Sequence, residues 1–114
     1  MKKLVIHLFH VHENAALTGA KLADRVRQVY AEHGVELEMF VFGAAIGALF
    51  DPAQAEYRKA LDALVQAGVT IHVCRQTVEM MAQVDTLSAA GYGLEYARDA
   101  FLRYANEGAT VISL

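Results

Sequence analysis

Residues 4 to 9, Leu-Val-Ile-His-Leu-Phe, are apolar at odd and even positions alike apart from His7. That pattern predicts a strand buried on both faces of a parallel sheet, with His7 as a hydrogen-bonded core histidine. A polar loop, His10 to Asn14, opens a predicted helix that runs to His33, capped by Asn14 or Thr18, with Leu22, Val26, Val29, Tyr30 and His33 on one broad face. Gly34 ends it, and Val35 to Phe42 reads as a second strand. Glu36 and Glu38 alternate there with apolar residues, and two glutamates are costly in a sheet centre, so this strand is expected at an edge. Gly43 to Gly47 leads into a short helical piece ending near Phe50. Asp51-Pro52 then starts another helix, a capping carboxylate followed by proline at the first helical position, with Tyr57, Leu61, Leu64 and Val65 inward.

Gly68 stops that helix and Val69 to Val73 is a third short apolar strand. Beyond Cys74, Val78, Met81 and Ala82 fall at helical spacing, so Cys74 stands where a strand turns into a helix. A short fourth strand is expected at Thr86 to Ala89. A helix from Leu94 to Asn106 follows, with Leu94, Ala97, Phe101 and Ala105 inward. Gly108 closes it, and Ala109 to Leu114 is the last strand, paired and buried. One unit recurs: a helix, a glycine (Gly34, Gly68, Gly108), then an apolar strand. Helices followed directly by strands give parallel strands joined by right-handed crossovers. The expected fold is an α/β three-layer α/β/α sandwich with a mostly parallel sheet of about five strands, in one domain spanning 1–114.

Composition narrows the function classes. Hydrophobic residues make up 55% of the 114 and charged ones 20%, more apolar surface than one small domain buries, so a homo-oligomer is expected. A net charge of -3 offers no basic stripe, so nucleic acid is not an expected partner. The start has a basic head, but His7, His10 and His12 interrupt its apolar run and no small-residue cleavage site follows, so it reads as a strand and not a signal peptide. No stretch reaches membrane-span length. A single cysteine excludes an internal disulfide framework and fits a reducing compartment, so a cytoplasmic location is expected.

That cysteine is the leading chemical candidate. A thiol at a helix start gains from backbone N–H groups, and Arg75 adds a full charge beside it; both favour the thiolate, the form that attacks or carries sulfur. The plain alternative is a small apolar residue packed at a strand end. In such a sheet ligands bind beyond the carboxyl ends of the strands. Four segments are expected to converge there: His10 to Asn14, with His10, His12 and Asn14; Gly43 to Gly47, with Gly43 and Ala44; Cys74 to Thr77, with Gln76 and Thr77; and Ala90 to Gly93, with Tyr92 and Gly93. Gly43 and Gly47 would let backbone amides approach an anion, although Gly-Ala-Ala-Ile-Gly matches neither a P-loop nor a dinucleotide fingerprint and equally serves close packing. His10, His12 and Cys74 make at most three ligands of a metal site, so no metal and no cofactor are expected. His72 reads as a satisfied core residue. Met80 and Met81 read as core packing or as a soft wall beside the thiol.

Taken together, the opening Met-Lys-Lys-Leu-Val-Ile-His, Phe-Gly-Ala at 42 to 44, Ala-Gly-Val-Thr-Ile-His-Val-Cys-Arg-Gln-Thr at 67 to 77 and the closing Glu-Gly-Ala-Thr-Val-Ile-Ser-Leu resemble the DsrE/DsrF-like proteins over essentially the whole chain. The resemblance implies a flavodoxin-like sheet, trimers or hexamers, and intracellular sulfur trafficking, with sulfur held as a persulfide on a cysteine that matches Cys74 and passed between donor and acceptor proteins. The sulfur-relay members carry a small-residue helix and then Arg-Gly after that cysteine. Here Glu79, Met80 and Met81 occupy that stretch. Two functions stay open at this stage: a sulfur carrier, or a non-catalytic oligomeric module that binds a small anion or metabolite.

Overall fold

The computed structural model describes residues 2–114. Strands β1 (Lys2–Leu8), β2 (Val35–Val41), β3 (Thr70–Cys74), β4 (Gly93–Glu95) and β5 (Thr110–Ser113) form one sheet in the order β4-β3-β2-β1-β5. Every pairing is parallel. Between them run α1 (Ala15–Arg27), α2 (Ala44–Gly47), α3 (Ala55–Gln66), α4 (Arg75–Met80), α5 (Val84–Ala89) and α6 (Ala97–Glu107). The first four strands are laid down side by side. The chain then returns through α6 to place β5 against β1, so helices cover both faces. This is the three-layer sandwich expected from the helix–glycine–strand repeat, with the flavodoxin-like sheet that the resemblance implies.

Strand register decides which side chains share a face. Ile6, Leu8, Met39, Val41, Ile71 and Val73 lie on one face and are fully buried, next to α1 and α3. The side of α1 that meets the sheet is made of small residues: Ala16, Gly19, Ala20 and Ala23 are its buried positions. A Cβ on Gly19 would sit 2.3 Å from a Leu8 methyl, so the helix lies closer than a larger residue permits. Leu22 in α1 and Val29 just beyond it face outward, 41% and 46% exposed, which differs from the broad inward face the sequence suggests. The helix also ends at Arg27, with a tight turn at Tyr30–His33 leading to Gly34. Asp51 Oδ1 accepts from Ala53 N at 2.9 Å and Pro52 follows it, but this cap closes a separate short turn, Pro52–Gln54; α3 itself begins at Ala55, with Gln54 at its N-cap and no side-chain cap.

On the other face, α6 covers β1, β2 and β3 with Ala97, Ala100, Phe101 and Tyr104. Phe101 and Tyr104 pack on Phe40 with centroids 5.6 and 6.4 Å apart. Ala105, expected inward, is exposed.

Three expectations are corrected. β2 is not an edge strand; it lies between β1 and β3, because Glu38 is satisfied from outside its own segment. Residues 84–89 form helix α5 anchored by Leu87, and the fourth strand is Gly93–Glu95, taking Leu94 out of the following helix. The last strand pairs with β1 as expected, but as the edge of the sheet, and Val111 and Ile112 stay partly exposed.

Candidate functional site

The carboxyl ends of β3 and β4 open into a cleft of about 450 Å³ lined by Phe42, Cys74, Gln76, Glu79, Tyr96, Ala97 and Arg98. Cys74 is the last residue of β3 and Arg75 the first of α4, so strand passes into helix without a loop. Cys74 occupies the N-cap position with extended backbone (φ -60°, ψ 115°), and its thiol takes no capping hydrogen bond. It is 3% exposed. The only sulfur nucleophile of the chain thus lies at the wall of an open cleft with little of its own surface in water.

Arg75 is not among the lining residues. Its Nε donates to Glu79 Oε1 at 2.8 Å, one turn further along α4. The Tyr96 hydroxyl donates to the same oxygen at 3.1 Å. The Arg98 guanidinium lies 5.5 Å from the Tyr96 ring centroid and its Nε is 3.4 Å from Asp99 Oδ1. Met80 is 80% exposed and is no part of the cleft wall, whereas Met81 packs on the core.

The other residues singled out from sequence are distributed around the sheet. Gln76 lines the cleft; Thr77 is on α4 but does not line it. His10, His12 and Asn14 follow β1, and β2 separates that strand from β3. Phe9 and Phe42 pack against each other with rings tilted at 45° (centroids 5.6 Å), and Phe9 N and His10 N both donate to the Leu114 carbonyl at 2.8 and 3.2 Å. The crevice where the strand order reverses, between β1 and β5, is therefore closed by backbone and rings, and the open cleft lies at β3 and β4 instead. Gly43 (φ 62°) tucks under the Phe9 ring, 2.8 Å from where a Cβ would stand; its role here is close packing, with Ala44 opening α2. Tyr92 and Gly93 lie at the opposite end of β4: Gly93 pairs with His72, while Glu95 pairs with Cys74. Tyr92 is buried, donating to Asp62 at 2.7 Å. Burial and this bond push its pKa well above the ordinary tyrosine value.

Sequence reasoning missed Phe42, Glu79, Tyr96 and Arg98. Phe42 was within reach, since it follows β2 directly as Cys74 closes β3. Tyr96 and Arg98 were not, because they depend on a fourth strand that the sequence placed elsewhere.

A second cluster lies under α6. Arg103 donates from Nη2 to Glu38 Oε2 at 2.7 Å and to Glu95 Oε1 at 2.8 Å, and from Nε to Glu95 Oε2 at 3.1 Å. Tyr104 and Lys3 also donate to Glu38. Burial pushes the Glu38 carboxyl up, but the bonds from Arg103, Tyr104 and Lys3 outweigh it and hold the pKa at about 2. His72 Nδ1 lies 2.8 Å from Glu95 Oε1, and the carboxylate can only accept, so the proton is on Nδ1. Glu38, His72 and Glu95 bring ligand-type atoms within 4.8 Å of one another. The guanidinium of Arg103 already supplies the cation there, bonded to both carboxylates, which makes this a structural ion cluster. His7 packs among Phe9, Phe40, Phe42 and Phe101. Its Nδ1 meets Ser113 Oγ at 3.0 Å, and its buried Nε2 has no hydrogen-bond partner among the described residues.

No family model matches the chain, and no curated protein matches it. Solved structures do. A conserved protein of unknown function from Bacteroides thetaiotaomicron superposes with a TM-score of 0.78 at 17% identity, over 99% of this chain and 95% of its own. A protein of unknown function from Methanobacterium thermoautotrophicum gives 0.72 at 20% identity, over the whole of both chains. The ychN protein from E. coli gives 0.71 at 14% identity, again over the whole of both. At these identities the likeness concerns the fold alone. Among the described residues no helix is long and apolar enough to cross a membrane.

Proposed function

We propose that the protein is a sulfur carrier that holds sulfane sulfur as a persulfide on Cys74. The observation that carries this reading is the placement of the thiol: at a strand-to-helix junction, on the wall of an open cleft, at the carboxyl edge of a parallel sheet. The resemblance of residues 67 to 77 to the DsrE/DsrF-like sulfur-relay segment agrees with it. In the first step the Cys74 thiolate attacks the outer sulfur of a donor hydropersulfide, R–S–SH. The S–S bond breaks, R–S⁻ leaves, and Cys74 carries –S–SH. In the second, an acceptor thiolate attacks that outer sulfur and Cys74 leaves as thiolate. No electrons enter or leave in either step. The cleft shields the persulfide from bulk solvent, with Phe42 and Tyr96 as its apolar walls.

The carrier is read as a cytoplasmic homo-oligomer, trimer or hexamer, exchanging sulfur with donor and acceptor proteins. Exposed Leu22, Val29, Leu102, Val111 and Ile112 supply apolar surface for association between copies. The test is sulfur uptake. After incubation with an alkyl hydropersulfide and desalting, wild type should release cyanide-labile sulfur approaching one atom per chain, and Cys74→Ser none. Absence of labile sulfur from wild type rejects the reading.

A second reading rests on the 3% exposure of Cys74. It makes the thiol a packed wall residue of a cleft that binds a small metabolite without chemistry. Native thiol titration separates the two: fast for a carrier, slow for a packed residue.

A further inference from the structure

We propose that Glu79 sets the charge class of the sulfur donor: the cleft admits a sulfane sulfur offered in neutral form, as in a protonated alkyl hydropersulfide, and rejects small dianions such as thiosulfate. This rests on the carrier reading and names its substrate.

The Glu79 carboxylate lines the same cleft as Cys74. It is held in place, because Arg75 Nε and the Tyr96 hydroxyl both donate to its Oε1. Arg75 is thereby committed to an ion pair, and Arg98 is paired with Asp99 and laid against the Tyr96 ring. Two guanidinium charges stand against two carboxylates, so among the described residues the rim has no surplus cation to meet a dianion. A thiosulfate entering the cleft would have to shed water without a compensating charge and approach both Glu79 and the Cys74 thiolate. The two donor reactions differ in just this respect. With thiosulfate, the thiolate attacks the outer sulfur, the S–S bond breaks and sulfite leaves, so three negative charges crowd the cleft throughout. With a protonated hydropersulfide, R–S–SH, the thiolate brings the only charge and R–S⁻ carries it away.

Charge class can be read independently of sulfur chemistry. The rates at which Cys74 reacts with neutral methyl methanethiosulfonate and with its anionic 2-sulfonatoethyl analogue are measured, each normalised to the same chain unfolded in denaturant. The anionic-to-neutral ratio should rise about fivefold in Glu79→Gln, which frees Arg75, and fall in Arg75→Gln, which leaves Glu79 uncompensated. Tyr96→Phe, which only loosens the carboxylate, should lie between wild type and Glu79→Gln. In parallel, wild type should load sulfur from an alkyl hydropersulfide at least about tenfold faster than from thiosulfate, and Glu79→Gln should narrow that gap. An unchanged ratio in Glu79→Gln overturns the role of Glu79, whatever sulfur is loaded. Loading from neither donor overturns the carrier reading and the donor class with it, even if the reagent ratio moves.

Discussion

Arg103 Nη2 donates to Glu38 Oε2 across 2.7 Å, joining the middle of α6 to a carboxylate in the interior of the sheet. The Glu38 side chain is only 6% exposed, and the same guanidinium reaches on to Glu95 beside the cleft. α6 is thus tied by charge to β2 and β4 as well as by Phe101 and Tyr104 to Phe40.

Removing the guanidinium leaves a buried carboxylate with only Tyr104 and Lys3 to satisfy it. Arg103→Met should cost about 3 kcal/mol of unfolding free energy, measured by urea denaturation at neutral pH. Because the folded pKa of Glu38 is lowered to about 2 from 4.5, its contribution is fully present above about pH 4.5 and lost as pH falls toward 2. Glu38→Gln should flatten stability against pH in that window. Identical acid sensitivity in both proteins would show that this carboxylate is not the group that titrates.

This cluster also marks where sequence reading stops. The helix–glycine–strand units are local: Gly34, Gly68 and Gly108 all take positive φ at their helix ends, and the apolar runs after them are strands. Cys74 was equally legible, because the hydrophobic period changes from strand-like to helical at that residue. The place of β2 was not, since Glu38 looks like an edge residue until Arg103, 65 positions later, is brought over it. Residues 84–89 failed for a different reason. Six residues with a single deeply buried side chain, Leu87, carry no period that separates strand from helix. That displacement moved β4 to Gly93–Glu95, so Tyr96 and not Tyr92 stands beside the thiol. The composition of the cleft was therefore readable only as far as Cys74, Gln76 and, from its place after β2, Phe42.

His7 provides a second pH signature. Burial lowers its pKa below the ordinary value of 6.5, with the nearby His10 adding to the shift. The native state keeps it neutral while the unfolded chain takes up a proton, so stability should fall as pH drops from above about 6.5 toward the lower folded value. His7→Gln should remove that slope between pH 5 and 7, seen as a pH-independent urea midpoint over the interval. A slope of the same size in the variant would assign it to another group.

Association between copies is expected from exposed Leu102 on α6 and from Val111 and Ile112 on the edge strand β5. Sedimentation at micromolar concentration should give a trimer or larger species. Replacing Leu102 and Ile112 with glutamate should shift it toward monomer without altering the circular dichroism. A wild-type chain that sediments at 12.5 kDa contradicts the expectation.

The central claim is that Cys74 carries sulfur, and the intact mass of the protein tests it most directly. Wild type purified without reductant and exposed to an alkyl hydropersulfide should gain the mass of one sulfur atom, lose it on adding a reductant or cyanide, and show the added atom on the peptide containing Cys74. Cys74→Ser, folded to the same circular dichroism, should gain nothing. A wild-type mass that stays unchanged after donor treatment, with the thiol titratable only on unfolding, would contradict the account and leave a cleft that binds without transferring sulfur.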